Sequence, residues 1–214
     1  MMPIDNFKEK NRGKIVIGIT GGAGSGKSTI VDKVLSEFDC EFIHCDEVAH
    51  TLMEPGGVNY RALIKEYGKG ILQEGSDVIS RPLLTKAAAE SEKGFARLNE
   101  ITHPNVIKHS KATINKTKKK IVLIEAALLL EAGMDSVCDE VWYIYAPIDD
   151  RIRRMKASRG YTDEKINTLL KNQLSEEQFR EKCGFVIDNG DGCSDGGDKA
   201  ISRLNTLLDC IAKK

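Results

Sequence analysis

The chain has 214 residues, 41% of them hydrophobic and 30% charged, the balance of a globular protein that can bury a core without disulfides or structural metal. Its 32 Lys and Arg offset 32 Asp and Glu, so bulk charge gives no reason to expect a nucleic-acid or membrane partner. The six cysteines form no C-x-x-C pair and no zinc spacing with the histidines, and read as reduced thiols of a cytoplasmic protein.

Residues 1–14 mix charges and lack an apolar centre, so they do not read as a secretory signal. The first β-rich run covers 15–20. Gly21-Gly-Ala-Gly-Ser-Gly26-Lys27-Ser28 follows it and matches G-x-x-x-x-G-K-[ST], between a strand and a helix as that motif requires. Glycines there let backbone N–H groups converge on phosphate oxygens, and the helix behind them aims its positive end at the same anion. Gly22, Ala23, Gly24, Ser25 and Gly26 therefore read as the cradle of a nucleotide phosphate chain. Lys27 reads as the cation for the β- and γ-phosphates, the Ser28 hydroxyl as a Mg²⁺ ligand, and Thr29 as a further phosphate contact. The helix is expected over 28–38, with Ile30, Val31, Val34, Leu35 and Phe38 on one face.

The second run, 41–45, ends at His44-Cys45-Asp46-Glu47. In an open parallel sheet the C-terminal ends of strands line the ligand crevice. Two roles fit Asp46 there: a base for an acceptor hydroxyl beside the phosphate loop, or the N-cap of a helix over 47–52. The interval before the third run is far longer than one crossover helix needs, and 55–120 reads as several inserted helices. His103-Pro104 within it is expected at a helix junction, because proline disfavours helix at the residue before it.

The third run, 121–124, leads to Glu125, either a Mg²⁺-positioning carboxylate acting through water or an exposed strand end. The apolar stretch 121–130 is too short for a membrane span. After the fourth run, 140–146, four arginines crowd together: Arg151, Arg153, Arg154 and Arg159. Two readings fit them, a lid closing on ATP or a basic face solvated beside Asp149 and Asp150. Gln173 falls on the apolar stripe of Ile166, Leu169, Leu170 and Leu174, and needs a hydrogen-bond partner. A fifth run covers 185–188. The GDGCSDGG loop at 190–197 precedes a closing helix with Ile201, Leu204, Leu208 and Ile211 on its face.

Near-continuous apolar strands alternating with helices predict an α/β fold: a doubly wound, five-stranded parallel sheet of the P-loop NTPase type. No N-K-x-D follows an apolar strand, which argues against a GTPase. The length and the inserted helices suit a small-molecule kinase that uses ATP and Mg²⁺. A kinase for nucleosides, nucleotides or sugar acids, or a non-catalytic ATP-binding protein, are the rival readings.

Together these segments resemble the dephospho-CoA kinase family. The resemblance runs from about residue 15 to 189. It is carried by the 18–29 glycine loop, Asp46 with Ala49-His50, Glu54-Pro55-Gly56 and Ser80-Arg81-Pro82-Leu83-Leu84. It continues through Leu98-Asn99-Glu100-Ile101-Thr102-His103-Pro104, Leu128 to Gly133, Asn172-Gln173 and Val186-Ile187-Asp188-Asn189. The family implies ATP-dependent phosphorylation of the ribose 3′-hydroxyl of dephospho-CoA, with Asp46 as base and Arg81 and His103 on the substrate side. It implies a spaced pair of lid arginines, for which Arg154 and Arg159 are the nearest match. It also implies one kinase domain: a core at about 14–54 and 119–214, an inserted helical substrate subdomain at about 55–118, and a lid at about 150–182. The expected protein is cytoplasmic, a monomer or weak homo-oligomer, with no nucleic-acid or membrane partner. Two positions depart from the family. His44 stands where it often has the first Asp of D-x-D, and Ala127 where it has the proline of P-L-L-x-E.

Overall fold

The computed structural model describes residues 13–171, 173–193 and 195–212; Asn172 and the side chain of Arg159 lie outside the described residues. The elements run β1 (Ile15–Thr20), α1 (Lys27–Glu37), β2 (Cys40–His44), α2 (Cys45–Met53), α3 (Tyr60–Tyr67), α4 (Arg81–Ala89) and α5 (Gly94–Lys116). They continue with β3 (Ile121–Glu125), β4 (Glu140–Tyr145), α6 (Ile148–Arg159), α7 (Asp163–Lys171), α8 (Glu176–Lys182), β5 (Phe185–Asp188) and α9 (Gly196–Ala212).

The five strands make one parallel sheet in the order β2-β3-β1-β4-β5. The α/β doubly wound sheet expected from the sequence is present. β1 lies between β3 and β4, with Ile19 opposite both Glu125 and Trp142. The apolar runs are continuous because both faces are covered. Ile15, Ile17, Ile19, Leu123, Trp142, Ile144 and Ile187 point to one face and pack with Ile30, Val31 and Val34 of α1 and Ala200, Leu204 and Leu207 of α9. On the other face a Cβ added at Gly18 would sit 2.8 Å from Cys138 Sγ and 3.0 Å from a Leu129 methyl, so β1 approaches the 126–138 segment closely there. Tyr143 on that face stacks on Phe179 of α8 at 4.6 Å between ring centres. Each fully buried Ile or Val contributes about 1.5–3 kcal/mol.

The chain divides into two compact units, one of residues up to Ile43 with those from Thr117 onward, the other His44–Lys116. The second unit has its own core of Leu63, Ile71, Ile79 and Leu84, with Tyr60, Ile64, Leu98 and Ile101 packed against it. Asn105 Nδ2 donates to Asn59 Oδ1 at 2.6 Å, tying α5 to the start of α3. Ser80 caps α4 by accepting from Leu83 N–H, and Pro82 lies in the first turn, where its missing donor costs nothing.

Four expectations are corrected. His103 is not at a helix junction: α5 runs unbroken through Pro104. Pro104 removes one helical bond, but Thr102 Oγ1 donates to Leu98 O at 2.9 Å and Asn105 Nδ2 to Ile101 O at 3.1 Å, so side chains serve carbonyls on either side of the gap. Asp46 does not end β2, which stops at His44, and it is not an N-cap. It lies in the first turn of α2, whose cap position is His44. Gln173 lies beyond the end of α7, not on its apolar stripe. The face of α9 is wider than expected: Leu204, Leu208 and Ile211 meet the core as the sequence suggested, but Ala200, Arg203 and Leu207 are buried beside them and Ile201 is only partly covered.

Arg203 is buried because it has a partner. Its guanidinium makes a two-pronged ion pair with Glu140 of β4, and Trp142 Nε1 donates to Glu140 Oε2 at 2.7 Å. Both charged side chains are at most 2% exposed. All six cysteines are free thiols, and burial pushes Cys183 up to about 12 and Cys40 up to about 11.

Candidate functional site

In the first unit, β1 ends at Thr20 and the chain turns through residues 21–26 into α1. Gly24 and Gly26 have φ of 79° and 85°, the left-handed region that an L side chain disfavours. Gly26 forms the N-cap of α1 with no side-chain cap, so the first helical N–H groups face outward from the loop. A helix start of this kind presents its first N–H groups and the positive end of its dipole to an anion. The Ser25 hydroxyl is buried with no hydrogen-bond partner among the described residues, whereas Ser28 and Thr29 of α1 are exposed.

Lys27 Nζ donates to Gly21 O at 3.0 Å and lies 3.9 Å from Glu125 Oε1. The β1–β3 register accounts for this, since it sets Glu125 beside the residue that precedes Thr20. Glu125 is thus no solvated strand end: its side chain is 13% exposed, beside the loop lysine.

The outer limb of the loop is held by side chains from α6 and from the segments after α7 and β5. Arg151 Nε donates to Ala23 O at 3.0 Å and Arg151 Nη2 to Gln173 Oε1 at 2.7 Å. The same Gln173 oxygen accepts from Ala23 N–H at 3.2 Å. Asn189 Nδ2 donates to Ser25 O at 2.8 Å. Arg154 Nη2 donates to Asn189 O at 2.8 Å and to Asp191 Oδ1 at 2.5 Å. Arg153 pairs with Asp150 and Asp191 at the surface, which is the solvated basic face that was the alternative reading for the cluster. Arg159 ends α6, with its side chain outside the described residues.

Of these, sequence reasoning singled out Arg154 and missed Arg151 and Asn189 as loop partners. The expected need of Gln173 for a hydrogen-bond partner is met by Ala23 N–H and Arg151, although the stripe that suggested it ends with α7 at Lys171. Asn189 follows a strand end, where an open sheet keeps its ligand crevice, and that was an available signal. Nothing in the spacing of the arginines separates Arg151 from its neighbours.

The second unit carries Asp46, Arg81 and His103. Asp46 is exposed in the first turn of α2, where the helix dipole favours a carboxylate. His44 Nδ1 lies 3.2 Å from Glu47 Oε1, so His44 engages its own helix. Arg81 opens α4 and lines a cleft of about 450 Å³ with His50, Glu54, Gln73 and Ser80. His103 is half-buried on α5, and desolvation lowers its pKa from 6.5, favouring the neutral ring.

A family described as Dephospho-CoA kinase matches residues 15–195. A dephospho-CoA kinase from Carboxydothermus hydrogenoformans is 34% identical over 192 residues, covering 88% of this chain and 92% of that protein. A crystal structure of a Thermus thermophilus protein superposes with a TM-score of 0.78 at 24% identity, over 91% of this chain and 98% of the other. A dephospho-CoA kinase from Campylobacter jejuni has a TM-score of 0.64 at 20% identity, over 91% and 97% of the two chains.

Proposed function

The chain belongs to the dephospho-CoA kinase family, and on that premise we propose that it transfers the γ-phosphoryl group of ATP to the ribose 3′-hydroxyl of dephospho-CoA, giving coenzyme A and ADP. The observation that carries the chemistry is the 21–28 loop: its glycines in the left-handed region, a capless helix start behind it, and Lys27 beside it.

Phosphoryl transfer asks little covalent chemistry of a protein and much positioning and charge. The loop N–H groups hold the phosphate chain of ATP. Lys27, now resting on Gly21 O, spreads its charge over the β- and γ-phosphates. The exposed Ser28 hydroxyl and the Glu125 carboxylate are hard oxygen donors of the kind Mg²⁺ prefers, with Glu125 acting through water. That ion, when bound, neutralises charge on the β- and γ-oxygens. Asp46 orients the 3′-hydroxyl and accepts its proton. Arg81, in its cleft, is suited to a phosphate of the acceptor, and the neutral ring of His103 to a hydrogen bond with it. Gly22, Ala23, Gly24, Ser25, Gly26 and Thr29 complete the ATP site, with helices α6–α8 at 150–182 as its lid and 55–118 as the substrate subdomain.

In this reading the enzyme works in the cytoplasm as a monomer or weak homo-oligomer, without nucleic-acid or membrane partners. The balanced charge supports the first exclusion. No described helix is long and apolar enough to cross a membrane.

The test is an ADP-release assay with Mg-ATP and dephospho-CoA, with mass detection of the product. One phosphate gained at the 3′-hydroxyl, and lost in Lys27→Ala, is the expected result. ATP binding without turnover of dephospho-CoA would overturn the acceptor assignment and leave the nucleotide site standing.

A further inference from the structure

Three of the four arginines on α6 have described side chains, and they are not equivalent. Arg153 and Arg154 already face carboxylates: Asp150 and Asp191 for the first, Asp191 for the second. Arg151 faces only neutral acceptors, Ala23 O and Gln173 Oε1. Among the described residues no carboxylate comes within ion-pair distance of it.

Its position is as distinctive as its charge. A Cβ added at Gly22 would collide with the Arg151 guanidinium, and one added at Gly24 would fall 2.6 Å from the Arg151 carbonyl oxygen. The side chain therefore lies directly on residues 22–24 of the phosphate loop. Arg151, Gln173 and Ala23 close a ring of three hydrogen bonds, in which the Gln173 oxygen takes both the Ala23 N–H and an Arg151 N–H. Burial pushes the guanidinium below its ordinary value, and Tyr143 opposes that shift only in part. Arginine stays protonated regardless, and an uncompensated cation against an anion-binding loop is relieved when the anion arrives. Within the loop itself, the Ser25 hydroxyl is buried with no hydrogen-bond partner among the described residues.

We propose that Arg151, and not Arg154, is the α6 cation that takes the outer phosphates of the nucleotide, with Gln173 as its positioning residue. This rests on the ATP-site reading of the loop but not on the identity of the acceptor. Arg154 reaches the phosphate loop only through a long bond to Gly24 O, at 3.5 Å, and otherwise anchors the loop after β5 through Asn189 O and Asp191.

The experiment is calorimetric titration of the full chain with ATP and with ADP, in Mg²⁺ and without acceptor. Arg151→Gln removes the charge and is expected to weaken ATP binding on the order of 10–100-fold, the scale of a charge-assisted hydrogen bond, and ADP binding less. Arg151→Lys keeps the charge but not the forked geometry, and should recover most of the loss. Gln173→Glu keeps an acceptor for both donors while neutralising Arg151, and should weaken ATP binding as Arg151→Gln does. Equal losses in the Lys and Gln variants would mean that Arg151 only brackets the loop, and would overturn the proposal. A greater loss in Arg154→Gln than in Arg151→Gln, or unchanged ATP affinity in Gln173→Glu, would also overturn it. Because ATP affinity is read without acceptor, a failure here is distinct from failure to turn over dephospho-CoA.

Discussion

Gly26 is the position where one methyl group tests the phosphate-loop geometry most directly. Its φ of 85° and ψ of 30° put it in the left-handed region at the N-cap of α1. Alanine pays about 1–2 kcal/mol to stay there. The added Cβ also collides with Asn189 Nδ2, the nitrogen that donates to Ser25 O at 2.8 Å. Displacing Asn189 forfeits a hydrogen bond worth about 0.5–1.5 kcal/mol. Together these come to about 1.5–3.5 kcal/mol against the binding-competent loop, or roughly a 10–300-fold loss of ATP affinity at about 1.4 kcal/mol per factor of ten. ATP titration of Gly26→Ala measures this, with thermal unfolding alongside to establish that the variant is folded. Asn189→Ala alone should lose only the hydrogen bond, and its pairing with Gly26→Ala should cost less than the two losses combined, because the collision has gone. A folded Gly26→Ala that binds ATP within threefold of the parent would refute the assignment of residues 21–28 as a pre-shaped phosphate cradle.

Asp46→Asn should lower kcat for dephospho-CoA by about 10²–10⁴ with little change in ATP affinity, and a loss below fivefold would remove Asp46 from the base role. Arg203→Met leaves the Glu140 carboxylate buried with Trp142 Nε1 as its remaining side-chain donor among the described residues, at a cost of about 3–5 kcal/mol read from the urea midpoint. The double change Arg203→Met with Glu140→Gln keeps an acceptor for Trp142 and should recover part of that loss; a single-variant cost below about 1 kcal/mol would contradict the pair's burial. His103 has a folded pKa lowered from 6.5, so below that pH the unfolded chain takes up the proton more readily than the folded one. Its contribution to stability is therefore complete at neutral pH and lost as pH falls through this window. Urea unfolding at pH 7.5 and 5.5 should show the loss, and His103→Gln should lessen it; an equal loss in both proteins would contradict the burial of His103.

The sheet was legible because its strands are covered on both faces, and residues such as Val16, Ile17, Val122, Leu123 and Ile144 leave no polar alternation to confuse the reading. The loop was legible for a different reason: its chemistry needs consecutive residues, and G-x-x-x-x-G-K-S is written in one line of sequence. Local signals failed where a residue serves a distant partner. Pro104 spoke for a helix break, but the side chains of Thr102 and Asn105 engage the carbonyls of Leu98 and Ile101 within one long helix. Arg203 interrupted the apolar stripe of α9, because the carboxylate that makes its burial tolerable lies on β4, 63 residues away.

The site shows the same division. Residues 21–28 predict a phosphate-binding loop by themselves, since backbone N–H groups, glycine conformations and a helix start are local properties. Which arginine meets that loop with no carboxylate beside it among the described residues was decided only by the tertiary structure. Arg151, Arg153 and Arg154 stand within one turn of α6 and carry the same charge. What separates them is that Asp150 and Asp191 neutralise two of them, while Ala23 and Gln173, residues far away in the chain, receive the third. A helix fixes the direction of each side chain, but the partner it meets there depends on which loops the sheet brings alongside, and that is settled by packing.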